Sequence, residues 1–207
     1  MLSLRAGLIW AALALVIAVP VALATTSPFI AWRPAVYTAA GFAGIAAMAL
    51  LLIQPLLAAG LLPGLPARPG RKVHRWLGLI LVGLILAHVG GLFLTSAPDV
   101  IDALLFDSPT PFSPWGVVAM WAIFATALLA ALRERLRLGP VFWRLGHTAL
   151  ALVIVVGSVV HALLIEGTME PWSKAALCVF ALLATLKAML DLRAWALLRR
   201  RIRPGRA

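Results

Sequence analysis

Two stretches of the sequence decide the fold: VHRWLGLILVGLILAH at residues 73–88 and FWRLGHTALALVIVVGSVVH at residues 142–161. Each is almost wholly apolar between its histidines and contains no acidic residue. A helix needs about 20 apolar residues to cross the ~30 Å hydrocarbon core of a bilayer. Both stretches therefore predict membrane-spanning helices.

The whole chain has the composition of an integral membrane protein. Of its 207 residues, 63% are hydrophobic and only 12% are charged, and the mean hydropathy is +1.04. Soluble domains are about half apolar and about a quarter charged, so a water-soluble globule is excluded. The single cysteine excludes a disulfide framework, a cysteine-based zinc site and a cysteine-ligated iron–sulfur cluster.

Prolines and glycines divide the chain into six apolar segments, each close to the length of a membrane-spanning helix. We therefore predict an all-α fold, an integral membrane six-helix bundle that forms a single transmembrane domain over residues 1–207. The predicted spans are 7–24, 35–59, 76–96, 115–132, 147–165 and 172–192. The first span also resembles a secretory signal that ends in small residues at 22–24, although its apolar run is longer than usual, so we favour a retained helix.

The basic residues predict the orientation of the bundle. Sixteen of the 18 lysines and arginines lie at the N-terminus, in the 60–75 and 133–144 loops, at Lys187 and in the tail 193–207. Five of the seven acidic residues lie on the other side. By the positive-inside rule the chain sits in the inner (plasma) membrane with both termini and the basic tail in the cytoplasm. Topology thus explains the net charge of +11, and membrane lipid rather than nucleic acid is the predicted partner.

All four histidines obey one spacing. His74 and His88 are 14 residues apart at the third span, and His147 and His161 are 14 residues apart at the fifth. Fourteen helical residues turn through about 1400°, close to four full turns, and rise by about 21 Å. Each pair therefore lies on one helix face, with one histidine near the cytoplasmic boundary and the other toward the outer half of the membrane.

Spans three and five run in the same direction, so His74 lies level with His147, and His88 lies level with His161. Two facing imidazoles at each level suit the axial positions of a six-coordinate haem between the helices. For any single histidine a packed residue or a proton relay is the competing interpretation. The shared spacing favours haem, with two b haems expected and one as the alternative. Zinc is disfavoured because no carboxylate or thiol is placed to complete either pair.

The two quoted stretches resemble the third and fifth helices of the ferric-reductase-like transmembrane domain family. That family includes ferric reductases, NADPH oxidases and the MsrQ-type membrane subunits of methionine-sulfoxide reductase systems. The resemblance covers roughly residues 35–192. It implies a six-helix bundle that binds b-type haem through helices three and five, with His74 and His147 as ligands of the inner haem and His88 and His161 as ligands of the outer one.

Two departures from the family bear on function. The larger reductases continue into a flavin- and NADPH-binding domain, whereas this sequence has no G-x-G-x-x-G nucleotide loop, so we expect it not to take hydride from a nicotinamide by itself. MsrQ-type subunits usually lack a histidine matching His74. Because that position is filled here, the two-haem pattern of the reductases fits better.

The sequence thus predicts a membrane b-type cytochrome subunit that carries electrons from a cytoplasmic-side donor to an outer-side acceptor. The expected donor is a separate flavoprotein reductase or a quinol, with flavin or quinone on a partner or at the membrane surface. The expected acceptor is ferric iron or a periplasmic redox partner. The alternatives are an MsrQ-like single-haem partner of a periplasmic reductase and a haem-free proton-relay or transporter protein.

Two arginines are further candidates for cofactor binding. Arg75 and Arg144 lie beside the inner histidines in sequence and could pair with haem propionates. Ordinary positive-inside residues are an equally good explanation of both. No catalytic residue is predicted, and whether the chain is itself an enzyme stays open.

Overall fold

The structure is a computed structural model that describes residues 3–192, and it is all-α within that range. A single 3₁₀ turn occupies Pro28–Ile30. The helices are α1 (Leu4–Thr25), α2 (Ala35–Ala59), α3 (Ala67–Thr95), α4 (Ala97–Leu104), α5 (Ser113–Leu132), α6 (Pro140–Leu164) and α7 (Pro171–Leu192). The basic tail predicted at 193–207 lies outside the described residues.

Six of these helices, all except α4, are long and apolar enough to cross a membrane. The predicted all-α six-helix membrane bundle is thereby confirmed, and the chain is a multi-pass membrane protein. The short helix α4 was not predicted, because the proline and the two aspartates among its eight residues indicate a polar connection between spans. Pro98 and Asp99 lie in the first turn of α4, where proline is tolerated and a carboxylate is stabilised by the helix dipole.

Two helices begin earlier than the hydropathy pattern predicts. Helix α3 begins at Ala67 and α6 at Pro140, whereas the apolar spans start at 76 and 147. Hydropathy marks only the part of a helix that lies in hydrocarbon, while lysine and arginine are good helix formers that extend it beyond the apolar run. The first histidine of each pair therefore lies well inside a helix.

The helices form two antiparallel hairpins. Helix α2 packs against α3, and α5 packs against α6. Helix α7 closes the bundle by packing against α2 and α6, with Leu177, Cys178 and Ala181 fully buried in the core. Cys178 is a free cysteine and packs there as a small apolar residue. Helix α1 lies on the outside against α7 and α2.

The two ends of the bundle differ in charge, and we name them accordingly. The basic end carries the 60–66 and 133–139 connections and the beginnings of α1, α3 and α6. The acidic end carries the 26–34, 96–112 and 165–170 connections and the beginnings of α2, α5 and α7. At the basic end the turn from α2 to α3 needs Gly60, whose φ of +68° is left-handed and where a Cβ would lie 2.6 Å from Ala67 N.

Helices α3 and α6, which carry the histidines, hardly approach each other along their backbones. Each is held by its own hairpin partner instead. Only Gly70 and Leu81 of α3 are buried among the described residues, although the helix is apolar over most of its length. The two helices therefore meet through side chains, as the rings of His74 and His147 show.

Candidate functional site

The structure places the four histidines on α3 and α6, two toward each end of the bundle. At the basic end the rings of His74 and His147 meet edge to face, with centroids 6.0 Å apart. His88 and His161 lie toward the acidic end on the same two helices. All four side chains are partly buried rather than exposed. The structure thus brings His74 and His147 into contact, and the pairing of His88 with His161 stays a prediction.

At the acidic end His88 is held by helix α2. Its Nδ1 atom lies 2.7 Å from the carbonyl oxygen of Ala40. The ring reaches this carbonyl because Gly44, one turn further along α2, has no side chain; a Cβ there would lie 3.0 Å from the same Nδ1. Since a carbonyl can only accept a hydrogen bond, Nδ1 carries the proton and Nε2 keeps its lone pair.

The second hairpin repeats this arrangement. The Nδ1 atom of His161 lies 2.9 Å from the carbonyl oxygen of Phe112. Gly116, again four residues after the carbonyl, leaves room for the ring, and a Cβ there would lie 2.6 Å from Nδ1. Ala40 and Phe112 are 72 residues apart, as are Gly44 and Gly116. In both hairpins, therefore, a backbone carbonyl and a glycine four residues after it hold the histidine ring in the same way.

At the basic end the same register brings His74 to Gln54 of α2. The His74 Nδ1 atom lies 3.1 Å from the Gln54 carbonyl oxygen. Gln54 follows Ala40 by 14 residues, which matches the spacing of the histidines on the antiparallel α3. Gln54 is only 8% exposed, which makes it a buried polar group within a membrane helix, near the basic end of α2.

His147 is the exception among the four. Its Nδ1 atom is buried and has no hydrogen-bond partner among the described residues. The ring stacks instead on Trp143, with centroids 5.0 Å apart and planes inclined by 22°. The Trp143 ring is in turn covered by the guanidinium of Arg133 at 4.9 Å. Stacking fixes the plane of the His147 ring but leaves open which nitrogen carries its proton.

The predicted arginines lie apart from this network. Arg75 and Arg144 are both exposed at the basic end, and neither forms an ion pair within residues 3–192. Lys174, at the acidic end, is by contrast 8% exposed, and its Nζ donates to the carbonyl oxygen of Ile165 at 2.6 Å. That carbonyl belongs to the C-terminal cap of α6, so Lys174 fastens the end of the helix that carries His161.

The family model described as ferric reductase like transmembrane component matches residues 40–158. The chain belongs to this family. The matched region begins at Ala40 and ends at Ser158. It includes His74, His88 and His147 and ends three residues before His161. Comparisons with curated proteins and with solved structures returned no match.

Membership gives this ferric-reductase-like chain a role in membrane redox chemistry and electron transfer. Domains of this family generally bind haem, so the residues present can be tested for their fit to that group. Metal-ligating histidines typically donate their second ring N–H to a carbonyl or carboxylate. Nδ1 of His74, His88 and His161 faces a backbone carbonyl in this way, and no Nε2 atom of these rings has a hydrogen-bond partner in the described part of the chain.

The basic-end pair supplies two imidazoles, one from α3 and one from α6, that together would hold the group. The observed separation of His74 and His147 is 6.0 Å. Within residues 3–192 no three His, Cys, Asp or Glu side chains cluster as ligands of a bare ion. The donor set of paired imidazoles between apolar helices therefore suits haem.

Several residues of this site were not predicted from the sequence. Gly44 and Gly116 make room for the acidic-end rings, and the carbonyls of Ala40 and Phe112 orient them. The sequence does contain a signal, since both glycines and both histidine pairs recur at an offset of 72 or 73 residues. Gln54 carries a simpler sequence signal, because it is a polar amide inside an otherwise apolar span.

Proposed function

We propose that this chain is a b-type cytochrome subunit that carries electrons across the membrane through two bis-histidine haems, one at each level of paired histidines. The observation that carries the proposal is the set of Nδ1 contacts to backbone carbonyls. Those contacts leave the Nε2 lone pairs of His88 and His161 available as axial ligands. Haem iron would supply one-electron transfer, which no side chain of this protein can supply by itself.

The residues of the chain would do three things for that group. The carbonyl contacts fix the orientation and tautomer of the imidazoles, the apolar faces of α3 and α6 exclude water, and the 14-residue spacing sets the two levels about 21 Å apart along the helices. Arg75 and Arg144 are proposed to approach propionates at the basic end, where both side chains are free to turn. Electrons would enter at the basic end and leave at the acidic end.

The topology, location and partners are part of the same proposal. The positive-inside rule supports a single transmembrane domain in the plasma membrane with the basic end and both termini in the cytoplasm. The donor would be a flavoprotein reductase or a quinol, with flavin or quinone on the partner or at the membrane surface. The acceptor would be ferric iron or a periplasmic redox partner.

One observation favours a second candidate, an MsrQ-like subunit with a single haem. His147 lacks the Nδ1 partner that the other three histidines have. A ligand without such an outer partner is oriented less firmly and is less basic. Under this alternative only the His88 and His161 level would hold haem, and the chain would serve a periplasmic reductase.

The experiment is a reduced-minus-oxidised spectrum of the detergent-purified protein together with its haem-to-protein ratio. Low-spin b-type bands with about two haems per chain support the proposal. About one haem per chain, retained in His74→Ala and lost in His88→Ala, supports the single-haem candidate. If protein expressed with ample haem contains none, both cytochrome functions are wrong, and the haem-free proton-relay or transporter alternative would gain support.

A further inference from the structure

The Gln54 side chain lies between helices α2 and α3 and contacts His74. Among the buried residues described, it is the one polar amide. A buried amide in a membrane helix is costly unless its donors and acceptor are matched, since hydrocarbon offers no partners. Its partners are therefore informative, and all of them belong to α3.

The backbone of α3 selects one orientation of this amide. With the nitrogen turned toward His74, Nε2 donates to the His74 carbonyl oxygen at 3.2 Å and Oε1 accepts from the Gly78 N–H at 2.9 Å. In the opposite orientation Oε1 would accept from a proton on His74 Nδ1, but it would also face the His74 carbonyl oxygen, and the amide nitrogen would face the Gly78 N–H and lose both of its acceptors. The matched orientation is the favoured one because unmatched buried polar groups cost about 1–3 kcal/mol each.

The matched orientation has a consequence for the imidazole. It also brings the Gln54 amide nitrogen within 2.5 Å of His74 Nδ1. An amide N–H pointing at Nδ1 requires that atom to accept, which puts the ring proton on Nε2. A ring protonated at Nε2 has no lone pair there for a metal. The carbonyl of the same residue, 3.1 Å from Nδ1, favours the opposite tautomer.

The other histidines show no such competition. Nδ1 of His88 and of His161 faces only a backbone carbonyl among the described groups, and both rings are held in the ligating tautomer. In the second hairpin the position equivalent to Gln54 is Thr126, again 72 residues further on. The Thr126 hydroxyl donates to the Ala122 carbonyl oxygen of its own helix at 2.7 Å and forms no hydrogen bond with the His147 Nδ1 atom.

We propose that Gln54 is a positioning residue that weakens ligand binding at the basic-end histidine pair, because its amide opposes the tautomer of His74 that binds iron. This inference rests on the proposed haem function and deepens it. The rings of His88 and His161 are already held in the tautomer that binds iron. At His74, by contrast, ligation requires the Gln54 amide to turn away from its matched contacts with α3. The two levels are therefore unequal, and the basic-end haem is the one that exchanges.

Haem transfer from the purified full-length protein to excess apomyoglobin tests this proposal without any assay of activity. We expect the wild type to lose haem in a fast and a slow phase, with the fast phase missing in His74→Ala. Gln54→Met and Gln54→Leu keep the size and apolar surroundings of the side chain but remove the amide donor. In both variants the fast phase should slow by about tenfold, the lower limit of effects seen for outer-shell partners of metal ligands. Thr126→Val is the matched control, and its fast phase should equal that of the wild type.

The haem-transfer experiment distinguishes failure of the Gln54 inference from failure of the proposed haem function. If the fast phase is unchanged or faster in both Gln54 variants, the inference is wrong while the haem function stands. A general loosening of the bundle would speed both phases, which also contradicts it. If the wild type retains only one haem, the inference requires the Gln54 variants to gain a second, and failure to gain it overturns the inference. Wild-type protein without haem overturns the inference together with the proposed function.

Discussion

His88 Nδ1 lies 2.7 Å from the carbonyl oxygen of Ala40, on the neighbouring helix of the same hairpin. That contact depends on the absence of a side chain at Gly44. The carbonyl remains within the helical hydrogen-bond ladder and is shared with the imidazole. The same relationship between His161 and Phe112 shows that the two hairpins orient their acidic-end histidines by the same physical means.

The glycines that make room for the rings should be intolerant of alanine. Gly116→Ala would place a Cβ 2.6 Å from the His161 ring, and Gly44→Ala would place one 3.0 Å from the His88 ring. Each should lower the haem content of the acidic-end level, with Gly116→Ala the more severe, because the displaced ring loses its carbonyl contact. The haem-to-protein ratio of the purified variants measures this.

Gly41→Ala is the matched control on α2, since a Cβ there meets no atom within 4 Å. It should keep its haem and gain up to about 1 kcal/mol of helix stability from the higher propensity of alanine. Equal haem contents in the Gly41, Gly44 and Gly116 variants would contradict this account of the site.

Trp143 should matter for the basic-end level alone. Its ring stacks on His147, whose Nδ1 has no other anchor among the described residues. Trp143→Leu removes a stacking contact worth about 0.5–1.5 kcal/mol and should lower haem occupancy at this level while the acidic-end haem stays bound. Trp76→Leu, an exposed tryptophan on α3, serves as the control in the same spectroscopic titration. Similar losses in the two variants would show that stacking on His147 has no special role.

Lys174 should contribute to stability through the end of α6. Its buried ammonium donates to the Ile165 carbonyl at 2.6 Å, and hydrogen bonds to charged groups contribute about 1.5–3 kcal/mol. Lys174→Met should therefore lower the free energy of unfolding by about 2 kcal/mol and increase amide exchange near His161.

The matched control is Lys187→Met on the same helix. Lys187 pairs with Asp191 at i and i+4, but both side chains are more than a third exposed. Such pairs contribute at most about 0.5 kcal/mol. Thermal unfolding in detergent distinguishes the two variants, and a smaller loss in Lys174→Met than in Lys187→Met would contradict the assignment.

Glu170 should make the start of α7 sensitive to acid. Its carboxylate accepts from the Ser173 N–H at 2.7 Å and the Trp172 N–H at 2.9 Å. These hydrogen bonds, that from Ser173 foremost, hold the pKa of Glu170 below its ordinary value of 4.5. Because the folded-state pKa is the lower one, the stabilisation is complete above pH 4.5 and is lost as the pH falls through the folded-state pKa.

Glu170→Gln should remove this part of the pH dependence of Tm below pH 4.5. Glu166→Gln, an exposed glutamate in the same connection, is the control and should leave the profile unchanged. Parallel acid profiles for wild type and Glu170→Gln would rule out the capping role.

Much of the architecture was predictable because a bilayer constrains sequence strongly. Apolar runs of sufficient length must be helices, since hydrocarbon offers no partners for backbone N–H and C=O groups. The six spans follow from that constraint, and the match of His74 with His147 follows from helical periodicity. The starts of α3 and α6 were predicted too late because hydropathy does not detect the basic turns that precede the hydrocarbon.

The sequence by itself determined the six helices, the family and the common spacing of the four histidines, since each depends on local composition or on periodicity along one helix. Only the tertiary structure decided which backbone carbonyl each imidazole meets, that His147 meets none, and that Gln54 lies against His74. Those contacts join residues 20 to 49 positions apart, from Gln54 with His74 to Phe112 with His161. They depend on how antiparallel helices pack side by side, where the lack of a single Cβ changes which groups can touch.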